Sequence, residues 1–399
     1  MIFSRQLLVL LFILACCPAP GFSAEVEIKK SKLDIPQDIV KSLQIRVSLG
    51  QEKPKVVLST QTPFKVFDGE GRLLFQGSQI EKTAVFAQEG QIFLGRQSFK
   101  RLPLVLDSGK SVLQLDQRTY RDILEFSMLP DGRLLIVNEL DLEDYLRGVL
   151  PWEANPGWKP EALKAQAVAS RTYALFKMIE NRGESFAVSS DVISQVYGGV
   201  TLEKTSTNQA IDATEGQILV YKGKIFPAFF HSTCGGHTTR AENAWPIEPH
   251  PSLRGGSCGF CNESPHYRWK VSLTEQELRT VLKKMGYNVT SILKLSAKDI
   301  DESGRARFFE IKYPAGKIKI PANDFRLAVS PMKMKSVFLR QITHEGHTFT
   351  LAGRGWGHGV GLCQYGIKKM AELGYTYRQI LEYYYPGSEI RVLAAPELG

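Results

Sequence analysis

The sequence predicts an α+β fold, and three observations support this class. Short β segments separated by turn signals fill residues 25–139, whereas helical patterns begin at residue 140. Strand and helix patterns then mix as far as residue 392. The 399 residues, 43% of them hydrophobic and 23% charged, have the composition of an ordinary globular protein and are enough for two domains. We therefore predict a β-rich N-terminal region at 25–139 and a mixed domain at 140–392.

Residues 1–24 have the pattern of an export signal. Arg5 precedes the apolar run 7–15, and small residues and prolines follow as far as Ala24. Two processing routes are open: cleavage after Ala24, or lipid attachment at Cys16, since the preceding Ile-Leu-Ala makes this segment resemble a lipobox. Both routes predict an exported protein of the periplasm or cell envelope, and only the second ties it to a membrane.

The charge balance points to an anionic partner. The formal net charge is +9, from 50 basic and 41 acidic residues. For an exported protein this charge favours wall polymers or acidic lipids. The sequence has no basic helix interleaved with aromatic residues, so we expect no nucleic-acid partner. No internal stretch is long and apolar enough to span a bilayer.

Six β segments are predicted in the N-terminal region. Asp68-Gly69 and Asp131-Gly132 mark turns between some of them. No pattern of side chains in this region indicates a ligand, so we assign it no function. The predicted segments are 44–49, 55–59, 64–67, 72–76, 91–95 and 133–137.

Helices begin the mixed domain. A short helix is predicted at 141–148. A longer helix at 160–182 begins with Pro160, which suits a first helical turn, and is ended by Gly183. The positions of one face of this helix recur at helical spacing. They are Leu163, Ala167, Ser170, Ala174 and Met178.

Strands and helices follow each other in the second half of the chain. Two strands are predicted to turn at Lys222-Gly223. Further on, Ser272 and Glu275 form the capping-box pattern of a helix that runs to Met285.

Four motifs of the mixed domain occur in a specific order. They are Tyr145-Leu-Arg-Gly-Val-Leu-Pro-Trp-Glu153, Ala169-Ser-Arg-Thr-Tyr-Ala174, Ser190-Asp-Val-Ile-Ser-Gln-Val-Tyr-Gly-Gly199 and Gly355-Trp-Gly-His-Gly-Val-Gly-Leu-Cys-Gln-Tyr-Gly366. Together they resemble the catalytic domain of the stage II sporulation protein D family, over roughly residues 139–392. One position departs from the family, because Cys363 stands where the family usually has Ser.

The resemblance implies a peptidoglycan lytic transglycosylase with Glu153 as its catalytic acid. As an acid, Glu153 would protonate the leaving glycosidic oxygen, and as a base it would then deprotonate the sugar's own hydroxyl. Intramolecular attack replaces the second carboxylate of most glycosidases and gives an anhydro sugar. Pro151, Trp152, Pro156 and Trp158 offer apolar surface that would raise the pKa of this carboxyl and stack on sugars.

The resemblance leaves a second function open. In this alternative the protein binds the cell wall without catalysis and activates an N-acetylmuramoyl-L-alanine amidase. Such a protein would keep the groove for peptidoglycan glycan strands, but Glu153 would be dispensable for chemistry. The amidase would then be a second partner, which the enzyme does not need.

Seven further motif residues are candidates for binding the glycan or orienting the site. Amides and aromatic hydroxyls suit neutral saccharides, whereas Arg171 and Asp191 are candidates for orientation. Each of the seven has the alternative of being a buried structural polar group. The candidates are Arg171, Asp191, Gln195, Tyr197, His358, Gln364 and Tyr365.

A second constellation has the residue types of a zinc site. His231, Cys234, Cys258 and Cys261 are zinc ligands by type, and His237 is a substitute. The resemblance agrees, because some family members carry zinc at the matching Cys-Gly-Gly segment. The alternative is a disulfide from Cys234 to Cys258 or Cys261, since an exported protein meets an oxidising compartment. Zinc with four protein ligands would be structural, because no position stays open for water, so we expect no catalytic cofactor.

Overall fold

The computed structural model describes residues 33–190 and 195–393, without the side chains of 51–53. The predicted export signal at 1–24, with its alternative lipid site, and the candidate Asp191 lie outside the described residues. Within the described residues, no helix is both long and apolar enough to cross a membrane.

A large sheet occupies the first half of the described chain, after the short helix α1 (Gln37–Ser42). Its strands are β1 Gln44–Lys53, β2 Lys55–Thr60, β3 Phe64–Phe67, β4 Leu73–Gly77, β5 Ile80–Gln88, β6 Gln91–Leu94, β7 Gln97–Phe99, β8 Leu104–Leu115, β9 Arg118–Met128, β10 Leu134–Asp141 and β11 Val188–Ser189. The order is β11-β1-β10-β9-β8-β2-β5-β6-β7, and β3 pairs with β8 and β4 off this path. β2 shows why a segment of this kind forms a strand, because its side chains alternate between the core and solvent. Val56 and Leu58 are buried, whereas Lys55 and Val57 are exposed.

Two helices follow directly from this sheet and carry the first two motifs. α2 spans Leu142–Glu153 and is capped by Asp141, whose carboxylate accepts hydrogen bonds from the first turn. α3 spans Pro160–Glu180, and its Ala-rich surface packs between α2 and α4 (Thr205–Asp212). Glu153 is therefore the last residue of α2, at the start of the loop that leads into α3.

Smaller sheets make up the second half of the described chain. One joins β13 Lys224–Ile225, β12 Gln217–Tyr221 and β24 Glu389–Val392; a second joins β17 Arg268–Thr274, β22 Thr348–Arg354 and β21 Leu339–Glu345; a third joins β18 Lys294–Ile300, β19 Ala306–Tyr313 and β20 Gly316–Pro321. Two pairs are β14 Phe230–His231 with β23 Leu362–Cys363, and β15 His237–Thr238 with β16 Gly256–Ser257. The parallel pairing of β14 with β23 sets His231 beside Cys363 and so joins the Cys/His segment to the glycine-rich motif.

Five helices pack against these sheets in the described second half. They are α5 Ala241–Ala244, α6 Glu275–Lys284, α7 Ala322–Val329, α8 Gln364–Glu372 and α9 Tyr377–Tyr384. α8 and α9 both contact α3, and a hydrogen bond joins Gln364 at the start of α8 to Glu153 at the end of α2. The first and fourth motifs meet there.

The α+β class is confirmed, and the element bounds show where the sequence patterns failed. The predicted hairpin joins β12 to β13. The capping box is Thr274 with Glu277, not Ser272 with Glu275, because Ser272 lies inside β17. β5, β7, β8 and β9 have no counterpart among the predicted segments, since polar residues interrupt their apolar alternation.

Candidate active site and cysteine cluster

The carboxyl group of Glu153 lies partly buried at the end of α2. The backbone N–H of Val196 donates to Oε1 at 3.2 Å, and the side-chain amide of Gln364 donates to Oε2, also at 3.2 Å. The first, third and fourth motifs therefore converge on one carboxyl group. This convergence makes Glu153 the centre of the candidate active site.

Burial raises the pKa of Glu153 to about 7. The hydrogen bonds from Val196 and Gln364 lower this pKa, but both donors are neutral and offset only part of the effect of burial. No charged side chain of the described residues contributes to the shift. The carboxyl group can therefore exist in both protonation states near neutral pH, as a group that serves first as acid and then as base must.

A row of aromatic rings extends from the start of α8. The ring of Tyr365, which follows Gln364 in the chain, lies 5.7 Å from that of Trp158 and 5.9 Å from that of His266. The His266 ring lies 4.3 Å from that of Trp356. All four side chains are partly exposed. We call this row the aromatic wall, because ring faces of this kind offer surfaces on which sugar rings pack.

Gln195 and Tyr197 are buried, with exposed fractions of 0% and 1%. Gln195 accepts a hydrogen bond from the hydroxyl of Tyr145 at 3.0 Å, and the hydroxyl of Tyr197 donates to Asn138 at 2.7 Å. The Tyr197 ring also lies 5.3 Å from the ring of Tyr145. A buried side chain does not reach a glycan, so the structure gives both predicted substrate residues a different role, the support of α2 against β10.

His358 is bound to the backbone through both ring nitrogens. The N–H of Val360 donates to Nδ1 at 3.1 Å, which leaves the proton on Nε2, and Nε2 lies 2.9 Å from the carbonyl oxygen of Phe230. Burial holds the pKa of this imidazole well below its ordinary value. His358 thus has no free nitrogen for the glycan contact predicted for it, and it instead fixes the glycine-rich motif to β14.

Arg171 pairs with Glu143 in the interior. Its Nε and Nη2 donate to the two carboxylate oxygens of Glu143, both at 2.7 Å, and Nη1 donates to the carbonyl of Gln217 at 3.0 Å. The Arg171 side chain is 0% exposed. This bidentate pair ties α3 to the start of α2 and to β12, so Arg171 orients the helices rather than contacting the site.

Replacing Arg171 with Leu is expected to lower the free energy of unfolding by about 3–5 kcal/mol, because the carboxylate of Glu143 loses its buried partner. Urea denaturation followed by circular dichroism measures this change. Arg182→Leu is the matched control, since Arg182 pairs with Asp38 at the surface and should contribute less than about 1 kcal/mol. Equal losses in the two variants would contradict the structural role of Arg171.

Four buried thiols form a cluster. The Sγ atoms of Cys234, Cys258, Cys261 and Cys363 all lie within 4.8 Å of one another, and none of these cysteines is in a disulfide. Sulfurs bound to one tetrahedral zinc ion at about 2.3 Å lie roughly 3.8 Å apart, so the arrangement suits a four-coordinate metal. We call this group the cysteine cluster.

His231, predicted as a ligand, lies outside the cysteine cluster. Its Nδ1 is 3.0 Å from the carbonyl oxygen of Val360, and burial lowers its pKa to about 3. The substitute ligand His237 is also outside, with Nδ1 close to the carbonyl of Thr238. Cys363 takes the fourth position, because β23 delivers it beside β14. The departure from the family at this position therefore has a structural reason.

Polar hydrogens approach the cysteine cluster from the surrounding chain. The Tyr384 hydroxyl lies 3.3 Å from Sγ of Cys258. Arg305, only 2% exposed, donates to the carbonyl of Cys234 at 2.6 Å. Gly359 has a φ of +87°, and a Cβ there would lie 2.4 Å from the guanidinium carbon of Arg305, so only Gly leaves room for this cation. The backbone N–H of Cys234 also donates to Sγ of Cys363, at 3.2 Å.

The cysteine cluster is joined to the candidate acid through the chain. Cys363 immediately precedes Gln364, the amide that donates to Glu153, and α8 begins at Gln364. Whatever fixes Cys363 therefore also fixes the start of α8. The position of the Gln364 amide on the Glu153 carboxyl depends on it.

Three contributors to the site were not among the sequence-based candidates. Val196 acts through its backbone, which no side-chain pattern can indicate. Trp356 lies inside the fourth motif, two positions before the predicted His358, and its aromatic type was a usable signal. His266 belongs to none of the motifs, and only the fold brings it to Tyr365.

The comparison with known families matches two segments of the chain. A model described as "Stage II sporulation protein" matches residues 130–221, which contain Glu153. A "Domain of unknown function" model matches residues 257–361, which contain Cys258 and Cys261.

Three relatives are similar over much of the chain. An uncharacterized protein of Brachyspira hyodysenteriae is 38% identical over 64% of this chain and 68% of its own length. The stage II sporulation protein D of Bacillus subtilis is 30% identical over 64% of this chain and 75% of its own length. The amidase enhancer of Bacillus subtilis is 28% identical over 61% of this chain, and the match spans only 40% of that protein. The chain belongs to the stage II sporulation protein D family.

Proposed function

We propose that this protein is an exported peptidoglycan lytic transglycosylase that cleaves the bond between N-acetylmuramic acid and N-acetylglucosamine. The family and the amidase-enhancer relative support a role related to the cell wall. The single observation that carries the enzymatic proposal is Glu153, a partly buried carboxyl group with a pKa of about 7 and two neutral hydrogen-bond donors.

The chemistry needs one carboxyl group that gives a proton and takes one back. Protonated Glu153 donates its proton to the glycosidic oxygen as the bond from that oxygen to the anomeric carbon of the muramic acid breaks. The muramic acid's own primary hydroxyl then bonds to the anomeric carbon and loses its proton to the Glu153 carboxylate. The products are an anhydro sugar and a free glycan end, and Glu153 is protonated again without any water having been consumed.

The surroundings of Glu153 suit both halves of this cycle. The N–H groups of Val196 and Gln364 stabilise the carboxylate after it has lost its proton, but they bring no positive charge that would prevent its reprotonation. The aromatic wall beside Gln364 supplies ring faces for the sugars on either side of the scissile bond.

Mass spectrometry of the products tests this proposal. Purified glycan strands, with and without their peptides, are incubated with wild-type protein and with Glu153→Gln. We expect anhydro-muropeptides or anhydro-disaccharides from the wild type alone. Hydrolysed rather than anhydro ends would contradict the intramolecular reaction. Equal amounts of product from both proteins would exclude Glu153 as the catalytic acid and base.

A second candidate function is favoured by the amidase enhancer among the relatives. In this proposal the protein binds glycan strands and activates a wall amidase, and the Glu153 carboxyl contributes to binding alone. The same experiment separates the two functions. If neither protein forms anhydro products, both bind peptide-free strands, and both stimulate an added amidase, the activator function is the correct one.

For the cysteine cluster we propose a structural zinc ion held by Cys234, Cys258, Cys261 and Cys363. Four buried thiols within 4.8 Å support this ligand set. Zinc with four sulfur ligands supplies no Lewis acid site for a substrate, because all its positions are filled. Its contribution is to join segments that are distant in the sequence and to hold Gln364 at the Glu153 carboxyl.

A further inference from the structure

The positive charge of this protein is concentrated in one segment. Residues 268–354 contain 17 of the 50 basic residues but only 8 of the 41 acidic ones. The rest of the chain contains equal numbers of both, so this segment accounts for the whole formal net charge of +9. Within it, the sheet β18-β19-β20 carries most of the exposed lysines on one side.

One face of this sheet is apolar and buried, whereas the other is basic. Leu295, Phe309, Ile311 and Ile320 point into the core, with exposed fractions of 5% or less. The residues of opposite parity therefore share the outer face. Its lysines, all exposed, are Lys294, Lys298, Lys312, Lys317 and Lys319. We call this surface the lysine face.

Three of these lysines stand directly opposite one another. Lys294 pairs in register with Lys312, and Lys312 pairs in register with Lys317. Adjacent strands are about 4.8 Å apart, which is well inside the screening length of about 8 Å at physiological salt. Like charges opposite each other destabilise a sheet. The row therefore costs stability, and a bound anion would remove that cost.

The acidic residues nearby neutralise this surface only in part. Glu310 lies 3.5 Å from Lys298 and 3.7 Å from Lys317, and Asp299 lies 2.8 Å from Lys319. Two carboxylates thus face five ammonium groups. Within the described part of the chain, Lys294 and Lys312 form no ion pair.

The apolar content of the lysine face argues for a polymer rather than a membrane. Phe308, on the same face, is covered by the Lys319 ammonium group, 4.0 Å from the ring centroid. Ile300, 55% exposed, is the one strongly exposed large apolar side chain on this face of the described structure. Insertion into a lipid interface needs a broader apolar surface beside the cations. A flat basic surface fits a chain of repeated anions that crosses the strands.

We propose that the lysine face binds the carboxylate groups of peptidoglycan, apart from the site where the strand is cut. This inference rests on the proposed function, because it takes the same polymer as ligand. Peptidoglycan repeats carboxylates along each strand, on its muramic acid or on the attached peptides, and several weak contacts on one strand add up through effective concentration. The lysine face thereby keeps an insoluble substrate bound to the protein while successive bonds of the strand are cut.

Co-sedimentation with purified peptidoglycan sacculi, freed of protein and attached polymers, tests this proposal. All proteins carry Glu153→Gln, so that the sacculi are not digested. We expect the variant with Lys294→Gln, Lys312→Gln and Lys317→Gln to bind about tenfold more weakly at low salt, with the difference shrinking as salt rises. The control variant with Lys270→Gln, Lys283→Gln and Lys284→Gln loses the same charge from other surfaces of the segment and should change binding less than about twofold.

Three results would overturn the proposal. Equal binding by the two triple variants would exclude the lysine face as the binding surface. Undiminished binding to sacculi whose carboxylates have been amidated would exclude carboxylates as the ligand. Binding that depends on the lysine face with phosphatidylglycerol vesicles but not with sacculi would identify a membrane partner instead.

Two further outcomes test other steps of the argument. A melting temperature of the first variant below that of the control would contradict the like-charge argument. If the wild type forms no anhydro products but sacculus binding still depends on the lysine face, only the transglycosylase activity is refuted.

Discussion

Replacement of Glu153 with Gln is expected to slow glycan cleavage about a thousandfold or more, because general acid and general base catalysis both pass through this carboxyl group. The Gln amide keeps the size of the side chain but can neither give nor take the proton. The rate of anhydro-product formation on a defined glycan measures the effect. Glu382→Gln, an exposed change on α9, is the control and should retain the wild-type rate. Wild-type rates in the Glu153 variant would exclude its role as acid and base.

The same substitution is expected to stabilise the fold above neutral pH. The folded pKa of Glu153, about 7, lies above its ordinary value of 4.5, so the folded state holds this proton more tightly than the unfolded state. The resulting stabilisation is complete below pH 4.5 and is lost as pH rises through 7, which amounts to up to about 3 kcal/mol. Urea denaturation at pH 4 and pH 8 measures the free energy of unfolding of both proteins. Relative to the wild type, Glu153→Gln should be more stable at pH 8 than at pH 4. A constant difference between the proteins would argue against a raised pKa.

Replacement of Cys363 with Ser is expected to reduce bound zinc from one ion per chain and to lower the free energy of unfolding by about 3 kcal/mol or more. Cleavage should also slow, because Gln364 loses the anchor immediately before it. Metal analysis and thermal unfolding measure the first two effects. A chelator is the internal control, since it should destabilise the wild type much more than the variant.

The disulfide alternative makes a different prediction for the wild-type protein. With zinc, chelation and denaturation should leave all four cluster thiols open to alkylation, which peptide mapping can count. With a disulfide, two of these thiols should resist alkylation until a reductant is added, and metal analysis should find no zinc. The second result would refute the zinc proposal while leaving the Glu153 proposal intact.

Much of the fold could be predicted because many of its helices and strands have local sequence signals. Pro160 marks the start of α3 and the alternation of β2 marks a half-buried strand. The long strands β8 and β9 were missed, since Ser108 and Gly109 interrupt β8 near a bulge. Irregular strands of this kind are specified by their neighbours in the sheet, and a single sequence does not contain that information.

The candidate site was predictable in its centre but not in its surroundings. The motif singles out Glu153, but the helix predicted at 141–148 runs on in the structure to Glu153 itself. Burial then raises the pKa of this carboxyl group to about 7. The hydrogen-bond partners of Tyr197 and His358, Asn138 and Phe230, lie far away in sequence, so the pattern could not separate support from substrate contact. Cys363 was overlooked as a ligand for the same reason, because only the pairing of β14 with β23 brings it to the other cysteines.

The hydrogen bond between Glu153 and Gln364 joins residues that are 211 positions apart. Because Gln364 follows the last cysteine of the cluster, any chain that stops before this point lacks both the amide and the fourth thiol. Fragments left by interrupted synthesis or by proteolysis between the two residues therefore contain Glu153 without the amide that donates to its carboxyl group. Under the proposed function, cleavage would therefore require a chain that extends through the last motif, and partial copies would leave the cell wall uncut.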